Sequence, residues 1–434
     1  NESVDIQQQE PVEISELETT ENNDLSKSSE SITVDESIAE DILATQADTA
    51  VVVGTVSDYL TAKGDAKLYN INLPAGVYLQ AQLTTPANAD LDYDLYLLDA
   101  EGNILTGSDY YTYINGTAGT LPEALGYITS GDTATYYLYV LASEGGSVSE
   151  SFTLDYSVST ACDSYEIDES VRQALAFTYG AGGAYIESRN LSSPIDNDWY
   201  VITVPSSRIY DKLKISATTA STNTCSVEVY QNVASEGYQM KRVGSGNTIS
   251  VSSGKYYIRV SNAKTMENFD DLDIQNYKLS ITPILKATGI VITDLKGSEG
   301  LNKVVNYPGY GAHFRTQGSG TLTVYGVLTA TDSSTGVTYA VGGEQINGLY
   351  YSPAWEANNT SANAIRRGTG TTDSSGKFEI DISLPPGIGV YSYYGSTSTH
   401  YFDICGVSVS PSDDSSISAS ETIFHLAYTM YHPF

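Results

Sequence analysis

Short stretches in which apolar and polar residues alternate at period two run through this chain, and one order of them occurs twice. The first series is Asp90–Asp99 (Asp-Leu-Asp-Tyr-Asp-Leu-Tyr-Leu-Leu-Asp), Tyr136–Ser143 and Phe152–Val158. The second is Cys225–Tyr230, Tyr256–Asn262 and Tyr277–Thr282. Successive side chains of a strand point to opposite faces, so such alternation buries one face and wets the other. Two series of this kind, with no long stretch of helical period, define an all-β chain of tandem β-sandwiches. Tyr165–Phe177 is the best stretch for a short helix.

The chain of 434 residues divides into four segments. Residues 1–48 hold 14 acidic residues, one Lys and no aromatic residue, the composition of an acidic arm or linker with no core of its own. A neighbouring subunit is a natural partner to order it, for instance by accepting it as an added strand. Residues 49–158 and 159–285 carry the two series. Residues 286–434 read as a different, immunoglobulin-like sandwich, with tight turns at Asp332-Ser-Ser-Thr-Gly and Asp373-Ser-Ser-Gly.

A formal charge of −32 repels phosphate backbones, which argues against nucleic acid, and attracts divalent cations. No apolar run approaches the roughly 18 residues of a membrane helix. The start, Asn1-Glu-Ser-Val, has no Met and no basic or apolar leader, as expected after removal of a secretion signal, so the expected location is extracellular or the cell surface. Of three cysteines, Cys162 and Cys225 fall in the second repeat and are candidates to pair, leaving Cys405 over.

The acidic residues Asp163, Glu166 and Asp168 precede the second repeat, and Asp196 and Asp198 stand at a strand entry. Oxygen ligands gathered on a loop beside a strand suit Ca2+, which takes six to eight oxygens in flexible geometry. Asp90, Asp92, Asp94 and Glu101 mimic an EF-hand spacing, but Leu95 stands where the turn requires Gly and the segment reads as a strand. In the last segment Tyr350, Tyr351, Trp355, Tyr391, Tyr393 and Tyr394 concentrate aromatic surface suited to stacking on sugars or to subunit interfaces. Apart from the loose pair His425 and His432, the four histidines lack metal-ligand spacing, and no nucleophile or metalloprotease motif occurs.

The repeats resemble the bacterial pre-peptidase C-terminal domain family, a β-sandwich module of exported proteins whose fold is shared by the collagen-binding domains of clostridial collagenases. The resemblance rests on Asp163-Ser-Tyr-Glu-Ile-Asp-Glu-Ser, Ile195-Asp-Asn-Asp-Trp-Tyr-Val-Ile-Thr-Val-Pro and Gly254-Lys-Tyr-Tyr-Ile-Arg-Val. In the first copy it rests on Tyr69–Tyr78, Asp92–Leu97 and Tyr136–Val140. It implies jelly-roll-type modules, and calcium held by acidic residues of the opening segment. The first copy lacks the Asp-x-x-Glu opening. No peptidase domain accompanies the modules, so the expected function is that of a non-enzymatic structural subunit, a homopolymer assembled through its arm and strand edges. The alternatives are a monomeric adhesive module for collagen-like protein or polysaccharide, and an accessory chain of a secreted hydrolase.

Overall fold

The computed structural model describes residues 30–31, 52–88, 90–109, 111–114, 117–118, 121–160, 162–219, 225–234, 239–245, 247–262, 275–297, 313–314, 320–357, 364–394 and 398–432. Most of the arm, residues 1–48, therefore lies outside the described residues. The described chain is all-β, with sheets that pair face to face as sandwiches.

The first sandwich sets a five-stranded sheet on a four-stranded one. The five run in the order Glu30–Ser31, Ala66–Leu73, Ala134–Glu144, Asp92–Leu98, Ile104–Ser108. The four are Val52–Asp58, Phe152–Ser159, Tyr78–Thr84 and Glu123–Ile128. Alternation does what the sequence requires: Leu138, Val140 and Ala142 point inward from one strand and meet Ile71, Leu95, Leu97, Phe152 and Leu154. The second sandwich pairs a four-stranded sheet (Ala184–Leu191, Gln275–Leu285, Tyr210–Thr219, Thr248–Ser250) with a larger one. That larger sheet runs Leu175–Ala176, Asn197–Val204, Gly254–Asn262, Cys225–Asn232, Gln239–Ser245, and then continues into Tyr111–Ile114 and Thr117–Ala118 of the first sandwich. The crossing is parallel, Gln239 opposite Tyr111 and Lys241 opposite Tyr113. The two sandwiches thus share one sheet, and contacts place residues 1–206 and 212–283 in one compact unit. Only a three-residue 3-10 turn, Val171–Gln173, forms where a short helix was expected at Tyr165–Phe177, because the chain there runs into the strand Leu175–Ala176.

The second unit comprises residues 207–211 and 284–434. One of its sheets joins Gly289–Gly297, Gly320–Thr331, Thr338–Ala340 and Lys377–Leu384. The other joins His313–Phe314, Ala419–Tyr431, Ser398–Pro411, Gln345–Tyr351 and Ile365–Thr371, with Tyr391–Tyr394 added beside Ser398–Pro411. Leu322, Val324, Leu328, Ile380, Ile382, Val407, Val409 and Ile423 fill the space between them. A one-turn helix, Pro353–Ala357, follows Gln345–Tyr351. Among the described residues no helix is long and apolar enough to cross a membrane.

Aromatic rings lie over glycines on neighbouring strands. Gly54 faces Tyr156 in the first sandwich, and Gly326 faces Phe378 in the second unit. A Cβ on Gly326 would stand 2.2 Å from the Phe378 ring and 2.3 Å from the Val291 carbonyl oxygen. Gly326→Val is therefore expected to cost about 1–3 kcal/mol through overpacking, read as a lower denaturant midpoint at unchanged slope. A midpoint equal to that of the unaltered chain would contradict the packing described.

Candidate metal centre

The shared sheet brings together carboxylates that the sequence scatters over 36 positions. Asp163, Glu166, Asp168 and Glu169 come from the segment linking the sandwiches, and Asp196 and Asp198 from the entry to Asn197–Val204. All except Asp163 and Glu166 are essentially inaccessible to solvent. Among the described residues one cation, Arg189, faces them. Arg189 lies on Ala184–Leu191, where the pairing with Gln275–Leu285 slips by one residue between Ile186 and Arg189. Ser188 takes a left-handed φ of 63° at the slip. Strict alternation would put Ser188 inside with Ile186; the extra residue turns Arg189 inward instead.

Arg189 has a partner at each of its three nitrogens. Its Nη1 donates to Asp163 at 2.5 Å, its Nη2 donates to Asp168 and lies 2.8 Å from Asp198 Oδ1, and its Nε donates to the Tyr200 hydroxyl at 2.7 Å. Tyr277 donates to Asp198 and shares a hydrogen bond with Tyr200. The first sandwich contributes Tyr78, whose hydroxyl lies 2.8 Å from Glu166 and 2.5 Å from Glu169, and Gln80, which donates to Glu169 at 2.7 Å. Asp196 accepts from the Ser192 amide and hydroxyl. Around this core, Leu121 joins Val171, Trp199, Tyr230, Met240 and Tyr257 in an apolar cluster, and Arg172 forks onto Asp109.

Six carboxyl groups thus share one guanidinium. Asp163 spends both oxygens, on Arg189 and on the amides of Tyr165 and Asn190. By contrast Gln80 Oε1, Glu166 Oε1, Asp168 Oδ1 and Asp196 Oδ1 are buried without a well-formed hydrogen bond, although Glu166 lies against Asp168, and Asp196 against Gln80, close enough for a proton or an amide to join them. Glu166, Asp196 and Asp198 each offer an oxygen, and these lie within 4.8 Å of one another. Buried acceptors without donors are costly, and every one of these is an oxygen, the hard ligand set that Ca2+ takes.

Titration expresses the same imbalance. Burial raises the Glu166 carboxyl to about 8, the charge of Asp196 adding to it and Arg189 opposing. Burial likewise raises Asp168, Glu169 and Asp198 well above the carboxylate range, and Asp196 above its ordinary value. Burial works against the Arg189 charge, but Asp198 and Asp168 overcome it and hold the guanidinium protonated.

Of the five ligands expected from sequence, Glu166, Asp196 and Asp198 converge. Asp168 lies beside them against Glu166, and Asp163 anchors Arg189 with both oxygens engaged. Glu169, Tyr78, Gln80, Tyr200, Tyr277 and Arg189 complete the site without having been assigned to it. Glu169 was visible in the same acidic run. Arg189 was not, since its inward turn depends on a bulge. Asp90, Asp92 and Asp94 form no comparable group among the described residues. Asp90 sits in a turn, while burial raises Asp92 to about 6 and Asp94 to about 7. Cys162 and Cys225 both carry free thiols, Cys225 lying in the strand Cys225–Asn232 and its thiol pushed up by burial to about 12.

The aromatic set divides. Tyr350 is fully buried, its hydroxyl 3.1 Å from Cys405 Sγ and 3.0 Å from His425 Nδ1, so it is a core residue and not a surface ligand. It faces inward because Gln345–Tyr351 is a central strand, covered on its inner face by the opposite sheet. Tyr351 donates to Glu356 beside it, and Trp355 Nε1 donates to the Pro386 carbonyl at 2.9 Å. Tyr391 and Tyr394 are exposed, and the Tyr393 side chain lies outside the described residues.

No family profile matches the chain. It is 36% identical over 74 residues to the uncharacterized protein YlqB of Bacillus subtilis, a match spanning 17% of this chain and 46% of that protein. The chain thus spans about half the length of that relative. Solved structures overlap it at low similarity. The CUB1-EGF-CUB2 domain of human MASP-1/3 covers 53% of this chain and 99% of its own, at 11% identity and a TM-score of 0.16. The CBM22-1–CBM22-2 tandem of Paenibacillus barcinonensis Xyn10C covers 54% and 91%, at 10% identity and a TM-score of 0.15.

Raised carboxyl values have a definite sign. A folded carboxyl that holds its proton above the unfolded value stabilises the fold at low pH, and that contribution disappears as pH rises through the folded value. In EDTA, therefore, stability is expected to fall between about pH 4.5 and 8, the window of Glu166. Urea midpoints across that range measure it. A midpoint rising steadily to pH 8 in EDTA would contradict the buried-carboxyl description.

Proposed function

We propose that this chain is an exported, non-enzymatic protein of a bacterial surface or extracellular matrix. Its two pre-peptidase C-terminal-like sandwiches are locked together by calcium, and an immunoglobulin-like sandwich follows. The observation that carries this reading is the excess of buried carboxylates over cations at the seam of the two sandwiches, with oxygens left without a well-formed hydrogen bond. Glu166, Asp196 and Asp198 would hold the ion, with Gln80 and Asp168 supplying the adjacent oxygens. The ion would supply the positive charge that Arg189 alone cannot. Burial supports a structural role over hydrolysis, because a polymer substrate has no route to carboxylates closed inside a joint.

Removal of calcium by EGTA is expected to lower the melting temperature at pH 7.5, and restoring millimolar calcium to raise it. A ligand at 100 times its Kd adds about 2.7 kcal/mol. Asp196→Asn removes one buried charge and one ligand, so it is expected to abolish the calcium response while leaving the EGTA-treated protein at least as stable as the unaltered chain. An unaltered chain indifferent to calcium would defeat the reading.

Assembly through the arm is supported by a second observation. Glu30–Ser31 pairs in parallel with the edge strand Ala66–Leu73, Glu30 opposite Tyr69 and Ser31 opposite Asn70. An edge that accepts the arm of its own chain accepts the identical arm of a neighbour, the strand-addition route to a homopolymer. Deletion of residues 1–48 is expected to reduce assembly mass by light scattering. An unchanged mass would remove assembly through the arm from the proposal.

A further inference from the structure

We propose that the second unit carries a binding face for neutral polysaccharide on the outer end of its larger sheet. This does not rest on the calcium reading, which concerns the other unit. Three strands make the face: Tyr391–Tyr394, the start of Ser398–Pro411 and the end of Ala419–Tyr431. Their register places Ser392, Tyr401 and Tyr428 on one rung and Tyr394, Thr399 and Met430 on the next. These rungs are two residues apart, so all six share one side of the sheet.

That side is aromatic and open at Tyr394, Tyr428 and Met430, while Thr399 between Tyr394 and Met430 is buried. Tyr401 stacks on Tyr428 with ring centroids 4.4 Å apart and planes 17° apart. Tyr428 remains 46% exposed, Met430 51% and Tyr394 70%. A wall stands beside the stacked pair. The buried Asp403 carboxylate accepts the amides of Ile388 at 2.6 Å, Gly389 at 2.7 Å and Val390 at 3.1 Å, fixing the loop before Tyr391–Tyr394. Gly389 has a φ of +78°, and a Cβ there would lie 3.1 Å from Tyr401 and 3.4 Å from Tyr428, so the loop backbone sits against the rings. Asp403 is thus a positioning residue for the face, and Trp355 ties down the same loop through Pro386.

The chemistry of the occupant follows from charge. The chain carries a net −32, yet residues 390–394, 398–402 and 427–432 contain no Asp, Glu, Lys or Arg. The face is a neutral island in a polyanion. A polyanionic glycan is repelled by the molecule as a whole, and a second copy of the chain seated on this face would show itself as an oligomer. A cationic segment finds no carboxylate on the face to pair with. What remains complementary to these ring faces is an uncharged polyol, whose C–H faces stack on Tyr394 and Tyr428 and whose hydroxyls meet the exposed Ser392; the Thr399 hydroxyl is buried and shared with His432 Nε2 at 3.0 Å.

Native affinity electrophoresis of the full chain through gels containing laminarin, dextran or hydroxyethylcellulose tests this, with alginate as the anionic control. Retardation is expected in at least one neutral gel and none in alginate. Tyr394→Ala and Tyr428→Ala are each expected to weaken that retardation about tenfold. Tyr394 is too exposed for its loss to threaten the fold. Asp403→Asn is expected to weaken binding while leaving both rings in place. No retardation in any neutral gel, or retardation unchanged by both Tyr substitutions, would overturn the proposal. So would an oligomer seen by light scattering that both substitutions dissolve, since the face would then belong to a second copy.

Discussion

The joint between the first two sandwiches depends on Arg189 buried against Asp163, Asp168 and Asp198. A charge this deep persists only if its partners are held in place and hydrogen-bonded, because removing either side leaves an uncompensated ion inside the protein. The strand bulge at Ser188 aims it, Asp163 anchors it through two backbone amides, and Tyr200 occupies its remaining edge. Once the guanidinium is fixed, the positions of Asp168 and Asp198 are fixed too. Glu166 and Asp196 are then brought close to them against their mutual repulsion. The surplus negative charge is thus a consequence of how the joint is built, and it makes the seam responsive to protons and cations.

Tyrosine has a particular place in this arrangement. A phenol brings apolar surface and one donor without bringing a charge. Tyr78, Tyr200 and Tyr277 each give that donor to a carboxylate or share it with another phenol inside the joint. Tyr156 and Phe378 cover glycines, and Tyr401 and Tyr428 stack in the open. An excess of Tyr over Phe, 35 against 8, fits a molecule whose strands face both buried carboxylates and water.

The strands were legible in the sequence because period-two alternation is a local signal: Asp92–Leu98, Ala134–Glu144, Cys225–Asn232 and Gly254–Asn262 all fall on segments read directly from the pattern. The acidic loop was legible for the same reason, its carboxylates being close in sequence. What could not be read was non-local. Arg189 enters through a one-residue slip, and Tyr78 and Gln80 come from the other sandwich. The continuation of one sheet through Tyr111–Ile114 depends on two modules meeting edge to edge. Tyr350 was misplaced because an aromatic pair beside a turn looks the same whether it lies in a central strand or at a rim.

Diffraction data from crystals grown with calcium, collected where calcium scatters anomalously, test the centre most directly. An anomalous peak bounded by Glu166, Asp196 and Asp198 is the expected result. An electron-density map without that peak, with the carboxyl groups of Glu166 and Asp196 hydrogen-bonded to each other through a shared proton, would show that the seam is neutralised by protons and that calcium plays no part in it.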